Sequence, residues 1–269
     1  MLNVQNTGII MESLRIKRTI KHLLGGVRKA IEDFSMIQNG EHIAVGVSGG
    51  KDSLTLLYAL NELKKYGIYD FKLSAITIDL GFPGPPLPTS ALNEFCLDNG
   101  IDFYLEKTSI ASIVFLAREE KNPCSLCSNM RRGALANKCK EIGATSLALG
   151  HHKEDLVDTF LMSLFYENRL NTYQPVTYMD RSEITVIRPF IYVEEADICY
   201  IREYLQLPLI ESPCPINKKT KREEVKLLLT DISKTIPKAR NSIFSAIMNP
   251  ESAFLFHSKY KSSENNEHE

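Results

Sequence analysis

Val45-Gly46-Val47-Ser48-Gly49-Gly50-Lys51-Asp52-Ser53 is the stretch on which the reading of this chain turns. Residues 43–47 are apolar and rich in β-branched side chains, and they read as a buried strand that stops at Ser48-Gly49-Gly50. A helix then opens at Ser53, with Leu54, Leu56 and Leu57 as its first apolar residues. Two adjacent glycines let the backbone turn tightly and approach an anion closely. The free N–H groups and the positive dipole end of the new helix point at the same place. Lys51 adds a mobile positive charge. The segment reads as a site for the phosphates of a nucleotide. An ordinary glycine turn between strand and helix would not account for Lys51-Asp52 following the glycines.

The order of residues excludes a Walker loop, which needs a glycine, four residues and then Gly-Lys-Ser/Thr. Ser48-Gly49-Gly50-Lys51-Asp52-Ser53 instead resembles the pyrophosphatase loop of the ATP-pyrophosphatase (PP-loop) enzymes. That family uses ATP to adenylate an oxygen and release pyrophosphate.

Bulk properties narrow the class. A chain of 269 residues suits one large domain or one domain with appendages. Hydrophobic residues make up 43%, enough for a core. No apolar stretch approaches the ~20 residues of a membrane span. Residues 1–10 lack a basic segment followed by an apolar run, so no secretory signal is read and the cytoplasm is the expected location. A net charge of −1 excludes a polycation, so any nucleic-acid contact must come from local patches. Residues 13–31 contain Arg15, Lys17, Arg18, Lys21, Arg28 and Lys29 and no acid. Residues 218–222 contain Lys218, Lys219, Lys221 and Arg222. Either cluster alone reads first as a solvated helix face.

Along the chain, apolar residues at helical spacing predict an amphipathic helix over 14–36. Further helices are expected at 53–65, from residue 89 or 90 to about 98, at 109–119, 125–142, 153–166 and 194–205. Strands are expected at 71–78, 101–105, 146–149 and 184–187, and the tail 261–269 as disordered. Strands alternating with helices imply a doubly wound parallel sheet covered on both faces. Ligands in such sheets bind at the carboxyl ends of strands. The loop after the first strand, Asp79, and Gly150-His151-His152 all fall at such ends and are expected to converge.

Six cysteines are present, at 96, 124, 127, 139, 199 and 214. A disulfide framework is not expected in a cytosolic chain of this size. Cys96, Cys139 and Cys199 lie within helical patterns and read as packed residues. Cys124-Ser-Leu-Cys127 follows a proline at a helix start, and Cys214 lies between two prolines. Cys-x-x-Cys by itself fits half a zinc site, a redox dithiol or part of an iron–sulfur site.

Three longer motifs narrow this choice: 123–133 (PCSLCSNMRRG), 148–155 (ALGHHKED) and 186–190 (VIRPF). Together with 48–53 and Asp79-Leu-Gly-Phe-Pro, they resemble the tRNA 2-thiocytidine synthetase family, a PP-loop branch, in order over residues 15–225. The resemblance implies an adenine nucleotide alpha-hydrolase-like fold with an N-terminal helix. It implies a [4Fe-4S] cluster on Cys124, Cys127 and Cys214, with one iron open to sulfide. It implies that ATP adenylates a cytidine C2 oxygen in a tRNA anticodon loop, and that sulfur then replaces that oxygen. Ser48, Gly49, Gly50 and Ser53 would cradle the phosphates, with Lys51 neutralising their charge. Asp52 and Asp155 would bind Mg2+, and Asp79, Gly150 and His151 would contact the nucleotide. Arg131 and Arg132 would hold RNA phosphate near the cluster, as would Arg15, Lys17, Arg18, Lys21, Lys218 and Lys219 at the surface. The implied partners are tRNA, a cysteine desulfurase or other sulfide donor, and a second copy in a homodimer. The domain expected is 15–240, preceded by a flexible 1–14 and followed by an extension at 241–269.

The sequence departs from the family at Cys214-Pro-Ile-Asn, where many members carry a second Cys-x-x-Cys. Other readings stay open at this level. They are persulfide transfer by Cys124 or Cys127 without a cluster, action on another RNA position or a small heterocycle, removal of sulfur from a thiolated base, and a non-catalytic nucleotide and zinc module.

Overall fold

The computed structural model describes residues 2–117, 123–215 and 220–252. Six strands form one sheet in the order β3-β2-β1-β4-β6-β5. β1 (Glu41–Gly46), β2 (Phe71–Asp79), β3 (Asp102–Lys107), β4 (Ser146–Ala148) and β6 (Ile184–Ile187) run parallel. β5 (Val176–Met179) pairs antiparallel with β6. The sheet is therefore mixed at one edge and not wholly parallel as expected. β5 was not legible in the sequence because it is a short edge strand whose Thr177 and Tyr178 face water, leaving no clear alternation.

Alternation along β1 fixes the two faces. Ile43 and Val45 pack beneath α1 (Leu2–Asp33), α2 (Lys51–Lys65) and α7 (Glu195–Tyr204), with Leu23, Val27, Leu57 and Ile198 in the same core. Ala44 points the other way, into a core built with Leu135, Ala136 and Cys139 of α5 (Pro123–Glu141). A third cluster joins Val157 and Leu161 of α6 (Lys153–Glu167) to Val225 and Leu229 of α8 (Lys221–Thr235) and to Ala239 of α9 (Ala239–Met248).

Several bounds differ from expectation. The first helix begins at Leu2, so the segment expected to be a flexible start is helical. α2 begins at Lys51, two residues before Ser53, placing Lys51 in its first turn. The helix expected at 109–119 is a short α4 (Ile110–Ser112) followed by a π-helical turn at Ile113–Ala117. The sequence reading did not contain α8 and α9. α9 runs across the expected boundary at 240. α3 (Ser90–Asp98) lies where it was placed. The tail 261–269 lies outside the described residues. Among the described residues no helix is long and apolar enough to cross a membrane.

The strand order reverses between β1 and β4, and this opens a crevice at their carboxyl ends.

Candidate functional site: a phosphate loop beside three thiols

The loop after β1 is held by its own hydroxyls. Ser53 Oγ accepts from the Ser48 N–H at 3.1 Å and donates to the Gly50 carbonyl at 3.0 Å. Ser48 Oγ accepts from the Gly50 N–H at 3.3 Å. Among the described residues no side chain caps α2, so its first-turn N–H groups remain open to an anion. Gly49 has φ +83°, a left-handed conformation that costs a side-chain-bearing residue free energy. A Cβ there would also lie 2.5 Å from Ile210 Cβ. Ile210 donates its N–H to the Gly49 carbonyl at 3.0 Å, so the segment that leads to Cys214 is fastened onto the phosphate loop.

Gly150 closes the crevice from β4. A Cβ there would come within 2.9 Å of the Asp52 carbonyl carbon, so only glycine lets β4 approach α2 this closely. The expected convergence is therefore observed for the loop and Gly150. Asp79 joins Ser48 of the loop in a pocket lined also by Arg131, Ser212 and Pro213, and Gly150 is not part of that lining. Asp79 Oδ1 accepts from the Gly81 N–H at 3.0 Å.

Lys51 Nζ lies between Asp52 Oδ1 at 2.7 Å and Glu195 Oε1 at 2.8 Å. Burial alone would lower the Lys51 pKa, but the two carboxylates outweigh it and raise it. Glu195 stands in the first turn of α7, where a carboxylate suits the helix dipole. Its role as counter-ion to Lys51 arises from packing of α7 on α2 and had no local signal.

His152 is buried and caps α6. Its N–H donates to Asp155 Oδ2 at 3.1 Å, and its Nδ1 lies 3.0 Å from Glu154 Oε2. Asp155 Oδ1 accepts from Arg222 Nη1 at 2.9 Å. Both Asp155 oxygens are thus engaged inside the protein, whereas Asp52 is a third exposed. Arg222, read as part of a surface cluster, instead turns inward and also donates to Thr159 and Tyr173 at 3.0 Å. Lys221 remains at the surface, paired with Glu224. Lys218 and Lys219 lie outside the described residues.

His151 stacks on Tyr173 with ring centroids 4.2 Å apart, and its Nδ1 accepts from Arg188 Nε at 3.2 Å. A neutral ring accepting at Nδ1 carries its proton on Nε2. Burial, aided by Arg188, Arg222 and His152 against the pull of Asp155, lowers its pKa to about 3. The ring therefore stays neutral at physiological pH. A histidine whose folded pKa is depressed contributes stability that is full above its unfolded value of about 6.5 and is lost as pH falls below it. Relative to a His151→Asn variant, the wild-type protein is expected to lose melting temperature progressively between about pH 6.5 and 5. A constant gap between the two unfolding curves would refute this neutral histidine.

Cys124 is exposed, while Cys127 and Cys214 are half-buried, and all three are free thiols. Burial pushes the Cys124 and Cys127 thiols up, against the pull of Arg131 on Cys127, and the neighbouring Cys214 adds to the rise. The fold therefore gathers the three cysteines that the resemblance named. Among the described residues no group of three or more His, Cys, Asp or Glu is set to hold a metal ion, so the thiols are neighbours and not a closed ligand set. As donors, three neighbouring reduced thiols fit an iron–sulfur cluster in chemistry. Cys96 and Cys139 are packed as expected. Cys199 is not: it is exposed on α7, a correction to its reading as a core residue.

Along α1, Lys17, Arg18 and Lys21 are exposed, and Arg15 lies 4.4 Å over the Tyr200 ring. Arg18, Lys21 and Lys29 line an open groove over Gly25 and Gly26, bounded by Tyr192. Arg132 is exposed and donates to Asn129 at 2.9 Å. Arg131 faces inward, into the pocket.

A mostly parallel sheet with this Ser-Gly-Gly-Lys-Asp-Ser loop at its switch point is the arrangement of PP-loop nucleotide-binding proteins, and a PP-loop domain model matches residues 15–230. The tRNA-cytidine(32) 2-sulfurtransferase of Pelobacter propionicus is 37% identical over 245 residues, covering 89% of this chain and 88% of that protein. The protein of the same name from Syntrophotalea carbinolica is 37% identical over 253 residues, covering 92% and 95%. The chain belongs to the tRNA-cytidine(32) 2-sulfurtransferase family. Among solved structures, the U34-tRNA thiolase NcsA from Methanococcus maripaludis, described with its [4Fe-4S] cluster, matches with a TM-score of 0.70 at 26% identity, over 91% of this chain and 82% of that one.

Proposed function

We propose that the protein is an ATP-dependent tRNA sulfurtransferase that replaces the C2 oxygen of an anticodon-loop cytidine with sulfur. One observation carries this reading: the phosphate loop and the segment bearing Cys214 line the same pocket, with Ser48 and Asp79 facing Ser212 and Pro213. Activation by ATP and delivery of sulfur need that proximity, because a C2 oxygen is a poor leaving group until it carries a phosphoryl group.

The backbone of 48–53 and Lys51 would bind the phosphates and neutralise charge on departing pyrophosphate. Asp52 is the carboxylate available to Mg2+, and Asp155 would have to release Arg222 to join it. Cys124, Cys127 and Cys214 would hold a [4Fe-4S] cluster, which when bound supplies an iron without a protein ligand as a position for sulfide. A cysteine desulfurase or another sulfide source would supply the sulfur. Arg15, Lys17, Arg18 and Lys21 would contact tRNA phosphates, which orient the RNA without reading its sequence. The target base would be splayed from the loop to reach the pocket.

The test is the content of iron, acid-labile sulfide and zinc in anoxically purified protein, with 2-thiocytidine in tRNA read by mass spectrometry. About four irons and four sulfides per chain are expected. Both metal and activity should be lost in Cys124→Ser, Cys127→Ser and Cys214→Ser. Tolerance of Cys214→Ser would move the mechanism to a persulfide on Cys124 or Cys127. Zinc without labile sulfide would sink the cluster.

A further inference from the structure

We infer that Arg131 is the anchor for the α-phosphate of the adenylated base and of the AMP released from it. The inference rests on the adenylation chemistry proposed above and assigns it a residue outside the phosphate loop.

Arg131 lies one helical turn beyond Cys127 on α5, so the two share a face. It lines the pocket together with Ser48 of the phosphate loop, Asp79 and Ser212. Among the described residues it has no hydrogen bond and no ion pair, and the Cys127 thiol is the ionisable group that acts on it. The inward-facing Arg188 and Arg222 are differently placed: Arg188 donates to His151, Gln174 and Thr177, and Arg222 to Asp155, Thr159 and Tyr173. Its guanidinium donors, without a protein partner on the wall of a pocket, leave Arg131 open to a ligand. The carboxylates on the same pocket do not serve it: Asp79 accepts from the Gly81 N–H, and Glu211 is exposed.

The planar guanidinium fork matches a phosphate through two parallel N–H bonds. The reaction provides that phosphate at this point. In the first step the cytidine oxygen attacks the α-phosphorus, and the bond to pyrophosphate breaks with its electron pair leaving on pyrophosphate. In the second, a C2–S bond forms and the C2–O bond breaks. That electron pair leaves on the phosphate oxygen of AMP, and the proton of the incoming hydrosulfide goes to solvent. Negative charge on the α-phosphate grows in this second step, after pyrophosphate no longer ties the nucleotide to the loop. A fixed cation on the wall of the pocket that Ser48 lines stabilises that growing charge.

The experiment is calorimetric titration of the full chain with AMP, adenosine and pyrophosphate. Arg131→Gln is expected to weaken AMP by at least about tenfold while adenosine and pyrophosphate stay within about twofold. Arg131→Lys, which keeps the charge and loses the fork, is expected to fall between, and covers the case of a Gln variant that does not fold. Lys140→Gln, at the surface of the same helix, should bind all three as wild type does. Unchanged AMP affinity in Arg131→Gln, or an equal loss for AMP and adenosine, would overturn the assignment, as would wild-type protein that does not bind AMP. Failure of wild-type protein to thiolate tRNA would instead overturn the sulfurtransferase reading and leave the selective AMP effect standing.

Discussion

Gly49→Ala is expected to lower ATP-dependent thiolation by about 100-fold, the loss associated with displacing a reacting group by about 1 Å. The new Cβ would lie 2.5 Å from Ile210 Cβ and 3.0 Å from the Ile210 carbonyl oxygen, so the loop and the segment above it must separate. The same shift breaks the Ile210 N–H bond to the Gly49 carbonyl and moves the chain that carries Cys214. Stability should fall as well, by about 1–3 kcal/mol for a side chain held in the left-handed region. Gly40→Ala separates the two effects. It has a similar φ of +86° but nothing within 4 Å of the added Cβ. That variant should lose stability and keep its activity per folded molecule. Thermal unfolding and 2-thiocytidine formation on both variants check this, and a fully active Gly49→Ala protein would show that the loop is not rigidly coupled to the Ile210 segment.

Lys51→Met is expected to lower kcat by about 10²- to 10³-fold through loss of charge neutralisation in the phosphoryl step. Its effect on stability should be small. Lys51, Asp52 and Glu195 are each about a third exposed, at 29%, 33% and 32%, so water can replace the lost partner. Pairs so exposed contribute under about 1 kcal/mol. The diagnostic result is a large kinetic loss at nearly unchanged melting temperature. A loss of activity that merely tracks the folded fraction would make Lys51 a structural residue.

The phosphate loop was legible because its signal is local. Two glycines, a lysine and the start of an apolar helix lie within a few residues, and each acts through its own backbone or charge. Gly150 was legible for a related reason: it ends a buried strand at the point where ligands bind in such sheets. The cysteines were legible as a pair from spacing, and Cys214 joined them only by family resemblance, since nothing in its local sequence says where it lies. Lys51–Glu195 and Asp155–Arg222 were not legible, because each pair is brought together from distant segments by helix packing. α8 and α9 escaped the reading although Val225 and Leu229 carry a helical spacing, and their docking on α6 is what turned Arg222 inward.

From the sequence alone came the doubly wound architecture, the nucleotide loop and the chemistry of its residues, because strand burial, glycine freedom and helix-start N–H groups are properties of short contiguous segments. Only the tertiary structure decided which charges are already satisfied and which are free for a ligand. Asp155 and His151 are engaged, and Arg131 is without a partner among the described residues. That outcome depends on which helices the sheet order brings face to face, and no local pattern encodes it.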